Sequence, residues 1–151
     1  MAHTVDKLLT VAKGEVGYLE KKSKKNLNSK TKNAGSNNYT KYGAYFGING
    51  PSAYWCDMFV DWCMVQAYGK DVAKNLLHGF CAYTPTSAQK FKDNDQWHKT
   101  PKVGDSLVVT IPSRAKVEMV RKTNSLSGVR ITDTIARQKL MLRLDISFVK
   151  E

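Results

Sequence analysis

Apolar residues recur every three or four positions through most of the first hundred residues, the spacing of one helix face. Val5, Leu8, Leu9, Ala12 and Val16 make one such stripe, with Thr4 placed to cap it and Gly17 to end it, which predicts a helix over residues 4–16. Cys56, Phe59, Val60, Cys63 and Ala67 fall on one face of a second helix, and Gly69 stands where its C-terminal cap would be. Asp71 to Leu77 predicts a short helix. Thr84 and Pro85 read as N-cap and first position of another, running through Phe91 and closed by Asp93, Asn94 and Asp95. Pro101 to Asp105 reads as a turn, and the pattern then changes: Leu107 to Ile111 has strand character, and Leu140, Leu142, Leu144 and Ile146 alternate as a half-buried strand does. Helices first and strands later predict an α+β fold.

Between the first two helices lie two unlike stretches. Residues 21–38 are polar, rich in Lys, Asn and Ser, and read as a loop. Tyr39, Tyr42, Tyr45 and Phe46, interleaved with Gly43, Gly47 and Gly50, then lead to Trp55. These aromatics fit core packing, and equally the wall of a cleft.

A chain of 151 residues is long enough for one domain with its own core. No apolar run reaches transmembrane length and no signal peptide is read, so the chain is expected to be cytoplasmic as made. The formal net charge of +11 calls for an anionic partner or surface. Lys21, Lys22, Lys24, Lys25, Lys30 and Lys32 concentrate it, with no acid among them, although a solvated loop would look the same. No recognition helix, zinc finger or RNA-binding aromatic motif accompanies them, so no nucleic acid is expected. Three cysteines make no disulfide framework. Cys56 and Cys63 on one helix would stand about 10 Å apart along its axis, which leaves only a pair involving Cys81. His3, His78 and His98 lack zinc-ligand spacing with the cysteines, and no calcium-loop pattern occurs, so no metal and no cofactor is expected.

Cys56 is the candidate nucleophile. It opens its helix after a Gly/Pro/Ser loop, where the helix dipole and unpaired backbone N–H groups would favour the thiolate. A buried structural cysteine is the alternative.

The ordered set of motifs resembles the CHAP family, the cysteine- and histidine-dependent amidohydrolases/peptidases of bacterial and phage cell-wall lysis. The likeness rests on Glu15-Val16-Gly17-Tyr18-Leu19-Glu20, on Tyr42-Gly43 through Gly47, and centrally on Trp55-Cys56-Asp57-Met58-Phe59-Val60-Asp61-Trp62-Cys63. It continues through Tyr83-Thr84-Pro85-Thr86-Ser87-Ala88-Gln89, Phe91 and Pro101-Lys102-Val103-Gly104-Asp105, so that it covers roughly residues 8–105. It implies a papain-like α+β fold, with N-terminal helices packed on an antiparallel sheet and Cys56 as nucleophile. It implies cleavage of a peptidoglycan amide, either at the muramoyl–L-alanine link or within the stem peptide or cross-bridge. Trp55, Tyr42 and Tyr45 would line the cleft.

Past Asp105 the likeness ends. Lys116 stands where the family's strand carries its histidine, and Thr134-Ile135-Ala136-Arg137-Gln138 lacks the polar pair that orients it. Composition breaks there too: residues 1–105 hold all three Trp, seven Tyr, three Cys and three His, whereas residues 106–151 hold all five Arg. A change of reading frame, a fusion or an unrelated strand set would each produce such a break. Without the family's sheet, Phe59, Val60 and Val65 would be expected at the surface. The chain thus reads as a single domain, family-like over 1–105 and divergent over 106–151. Its expected action is peptidoglycan amide hydrolysis at the bacterial cell wall, with a phage or prophage origin and anionic wall polymers as further partners. The alternatives are a relative that binds the wall without cutting it and a basic interaction protein on the same scaffold.

Overall fold

The first helix, α1 (Val5–Gly14), buries Leu8, Leu9 and Ala12 and matches its dipole with Asp6 in the first turn and Lys13 in the last. In this computed structural model the described residues are 4–98 and 100, together with two short strands at 131–132 and 141–142. Thr4 stands at the N-cap in an extended conformation, but its side chain makes no cap bond. Its carbonyl instead accepts the Tyr68 hydroxyl at 2.8 Å. The helix stops before Val16, which is 57% exposed rather than part of the apolar stripe.

Three further helices and a single short turn complete the helical part: α2 (Lys41–Tyr45), α3 (Cys56–Tyr68), α4 (Lys70–Leu76) and α5 (Thr84–Asp93). The α2 turn exists because the Thr40 hydroxyl accepts the Gly43 N–H at 2.9 Å. α3 is the hub, packed against α1, α2, α4 and α5. Its buried residues, from Met58 through Tyr68, lie all round its circumference, as a helix enclosed by neighbours requires. Gly69, at φ +87°, ends α3 and begins α4 without a break. α5 begins one residue earlier than its sequence suggests, with Tyr83 as N-cap and Pro85 in the first turn.

The aromatic segment forms the heart of the core. Tyr42 has no exposed surface and its ring lies 4.9 Å from Tyr18, 5.6 Å from Trp55, 4.8 Å from Phe59 and 5.2 Å from Trp62, centroid to centroid. Such tilted and edge-on pairs each add about 0.5–1.5 kcal/mol beyond area burial.

The expected α+β, papain-like arrangement is not what these residues build. Among the described residues the architecture is helical, and the strands β1 (Ile131–Thr132) and β2 (Met141–Leu142) pair only with each other, antiparallel, Ile131 against Leu142 and Thr132 against Met141. Among the described residues α3 packs against α1, α2, α4 and α5. Phe59, Val60 and Val65, expected at the surface in the absence of a sheet, are 4%, 8% and 8% exposed. The strand readings over Leu107–Ile111 and the remainder of Leu140–Ile146, the turn at 101–105, Lys116 and the segment Thr134–Gln138 lie outside the described residues.

Candidate active site around Cys56

Cys56 is the first residue of α3 and is partly exposed. The approach to it is well fixed. Asn38 donates its side-chain amide to the Pro51 carbonyl at 2.7 Å, the Ala53 N–H bonds Gly50 at 2.9 Å, and the Trp55 carbonyl accepts the Phe59 N–H at 2.9 Å. The Trp55 indole N–H donates to Glu20 at 2.9 Å, which locks the residue before the cysteine to the chain leaving α1.

Its electrostatics run against the thiolate expected at a helix start. Burial pushes the Cys56 thiol up, its own backbone N–H opposes that, and the charges of Asp57 and Glu20 push it further up. The helix N-terminus does supply a donor, but desolvation and two flanking carboxylates outweigh it. Cys63, two turns further along α3, is 0% exposed, with its thiol raised by burial, and all three cysteines are free.

The residues expected to line a cleft are scattered by burial. Tyr42 is enclosed, its hydroxyl donating to Glu15 at 2.8 Å, so the packing alternative describes it. Trp55 is 7% exposed and faces Glu20 and the core rings. Tyr45 alone of the three is open, resting on Phe46 at 5.0 Å between centroids. Tyr54, the first of the aromatic pair that leads into Cys56, is the exposed aromatic nearest to it along the chain.

Of the three histidines, His78 and His98 are among the described residues. The His78 ring bonds Gln96 at 2.8 Å and packs edge-on against Phe91. Neither His78 nor His98 hydrogen-bonds Cys56. Among the described residues, no three His, Cys, Asp or Glu side chains gather as metal ligands would.

Two acids were missed. Asp57 and Asp61 stand one turn apart on α3, facing the connector to α5 and α5 itself. Asp61 is 2% exposed and accepts the Cys81 N–H at 3.0 Å. Burial raises its carboxyl to about 7, against the Cys81 bond, with Asp57 adding to the rise and Lys90 opposing it. Burial likewise raises Asp57 to about 6, opposed by the Ser87 hydroxyl and Lys90. Asp57 Oδ2 is a buried oxygen without a hydrogen-bond partner. The i, i+4 spacing that puts both acids on one strip was visible in the sequence, but their burial was not.

No protein-family model, curated protein or solved structure matches this chain.

Proposed function

We propose that the chain is a peptidoglycan amide hydrolase domain that uses Cys56 as its nucleophile. The observation that supports this is the placement of Cys56: first residue of the central helix, partly exposed, on a rigid approach, with an exposed tyrosine two residues before it. The resemblance to the CHAP family supplies the substrate class. In the reaction, the Cys56 sulfur attacks the amide carbonyl and the C–N bond breaks. The amine leaves with a proton taken from water, and water then hydrolyses the thioester to the carboxylate and the free cysteine.

The raised thiol sets the pH dependence. Attack needs the deprotonated form, so the rate will keep rising as pH passes the ordinary thiol value of about 8.5. The test is release of free amines from purified Gram-positive peptidoglycan. The parent is expected to release them and Cys56→Ala to lose roughly a thousandfold or more. A rate that levels off near neutral pH would show that an imidazole ion pair activates the sulfur, contrary to this account.

One observation favours a second reading. A protonated thiol without an imidazole partner among the described residues suits a protein that holds the wall without cutting it. Binding to sacculi by a folded sample, with no amine release from parent or variant, would select that reading.

A further inference from the structure

The lysine-rich stretch is not a loose solvated loop. The Lys21 N–H bonds Tyr39 O at 2.8 Å, Lys22 N–H bonds Asn33 O at 3.1 Å, Gly35 N–H bonds Glu20 O at 3.0 Å, and Leu19 N–H bonds Lys30 O at 2.9 Å. Lys21 thus forms antiparallel bridges to both Ala34 and Tyr39. Asn33, in the left-handed region at φ 57°, donates its amide to Ser23 O, Ser23 Oγ and Lys25 O, the last at 2.8 Å. Gly35 passes so close to Lys22 that a Cβ would meet the Lys22 backbone nitrogen at 2.8 Å.

The stretch is also pinned from below. The Tyr18 hydroxyl donates to Leu27 O at 2.7 Å. Lys21 is 0% exposed and its ammonium donates to Lys30 O at 3.0 Å while sitting 4.4 Å above the Tyr18 ring. One positive charge therefore lies under the surface, and five more, on Lys22, Lys24, Lys25, Lys30 and Lys32, stand exposed upon it. Among the described residues the only ion pair is Lys41 with Glu15, so none of the five is neutralised by a carboxylate.

We infer that residues 20–39 are a preorganised cationic platform that docks a linear phosphodiester polymer of the bacterial wall, of the polyol phosphate type. This rests on the wall-directed reading above. Like charges held together without counterions cost stability, and a bound polyanion relieves that cost. An ordered backbone means little further ordering on binding. The side chains indicate the ligand class. They are lysines, which meet single phosphodiester charges as points rather than as bidentate forks. Tyr39, half-buried at the end of the platform, is the only aromatic side chain in residues 20–39, too few for successive bases to stack on, which disfavours single-stranded nucleic acid.

The test uses the full chain and three ligands: a fluorescent glycerol-phosphate polymer, a single-stranded oligonucleotide with the same number of phosphates, and peptidoglycan with and without its phosphate polymers. The platform variant is Lys24→Gln, Lys25→Gln and Lys32→Gln together. The control is Lys7→Gln, Lys13→Gln and Lys74→Gln, which removes the same charge from exposed helix positions. The parent is expected to bind the glycerol-phosphate polymer best and to favour the unstripped wall. The platform variant should bind at least about tenfold more weakly, with a salt slope shallower by about 2, and the control should stay near the parent. Equal weakening by the control, no weakening by the platform variant, no polymer binding by the parent, or tighter binding of the oligonucleotide would each overturn the proposal. The readout does not involve Cys56. Polymer binding without amine release would remove the hydrolase reading alone, and amine release without polymer binding would remove the platform alone.

Discussion

Asp61 shows how one residue can couple this structure to pH. It is held at 2% exposure on the hub helix, with the Cys81 amide on its carboxylate and Asp57 a turn away. Both carboxyls bind their protons more tightly when folded than their ordinary value of 3.8. Their contribution to stability is therefore complete below that value and is lost as pH rises through about 6 for Asp57 and about 7 for Asp61. At about 1.4 kcal/mol per unit, Asp61 alone makes the protein less stable at pH 8 than at pH 5 by an amount of order 2 kcal/mol. Asp61→Asn keeps an acceptor for the Cys81 N–H and removes the charge. Urea unfolding between pH 5 and 8 should show a flatter profile in the variant and a gain in stability at pH 8. An unchanged pH slope would mean that Asp61 is already relaxed into solvent. Lys90 bears on the same result. Its ammonium donates to Gly79 O at 2.7 Å and Phe80 O at 3.3 Å, which holds the connector against α5 and brings one positive charge to the pair.

At the scale of elements, α2 shows a short turn dictated by two side chains and a missing one. Thr40 caps it, and Asn49 Oδ1 accepts the Thr40 N–H at 2.9 Å, so the turn is closed on both sides. A Cβ on Gly43 would run into the Ile48 carbonyl, which itself belongs to the closing loop. Gly43→Ala should therefore destabilise by about 2 kcal/mol or more, near the upper part of the overpacking range, measured by chemical denaturation. A neutral result would show that the Ile48 loop yields without cost. The helices expected at Val5, Cys56, Asp71 and Thr84 are all present, with ends shifted by one or two residues. α2 was not expected, because five residues are too few to display a period. α3 was expected with one buried face and has buried residues all round, because four neighbours surround it.

On the scale of the whole molecule, the buried apolar residues described run from Leu8 to Ala88 and close on themselves around Tyr42 and α3. A chain of residues 1–100 is expected to keep its helical signal and melt cooperatively, with a midpoint within about 10 °C of the full chain. A molten or aggregating fragment would show that the core depends on residues beyond that point. Among the described residues, no helix is long and apolar enough to cross a membrane.

Much was legible in the residues themselves. Helical spacing, glycine stops and the Thr-Pro start marked four of the five described helices, because backbone hydrogen bonding and side-chain periodicity are local and leave their trace in nearby positions. The place of Cys56 at a helix start was legible for the same reason, since it depends on neighbours in sequence. Burial was not legible, because it depends on what packs from far along the chain. It placed Tyr42 and Trp55 in the core rather than at a cleft, and it raised the Cys56 thiol where the helix start alone would lower it. It also hid Lys21 beneath a loop whose other lysines are exposed. The hydrogen bonds that order residues 20–39 join positions up to 18 apart, so a stretch that reads as loose and polar becomes a fixed charged surface only after the chain has folded back on itself.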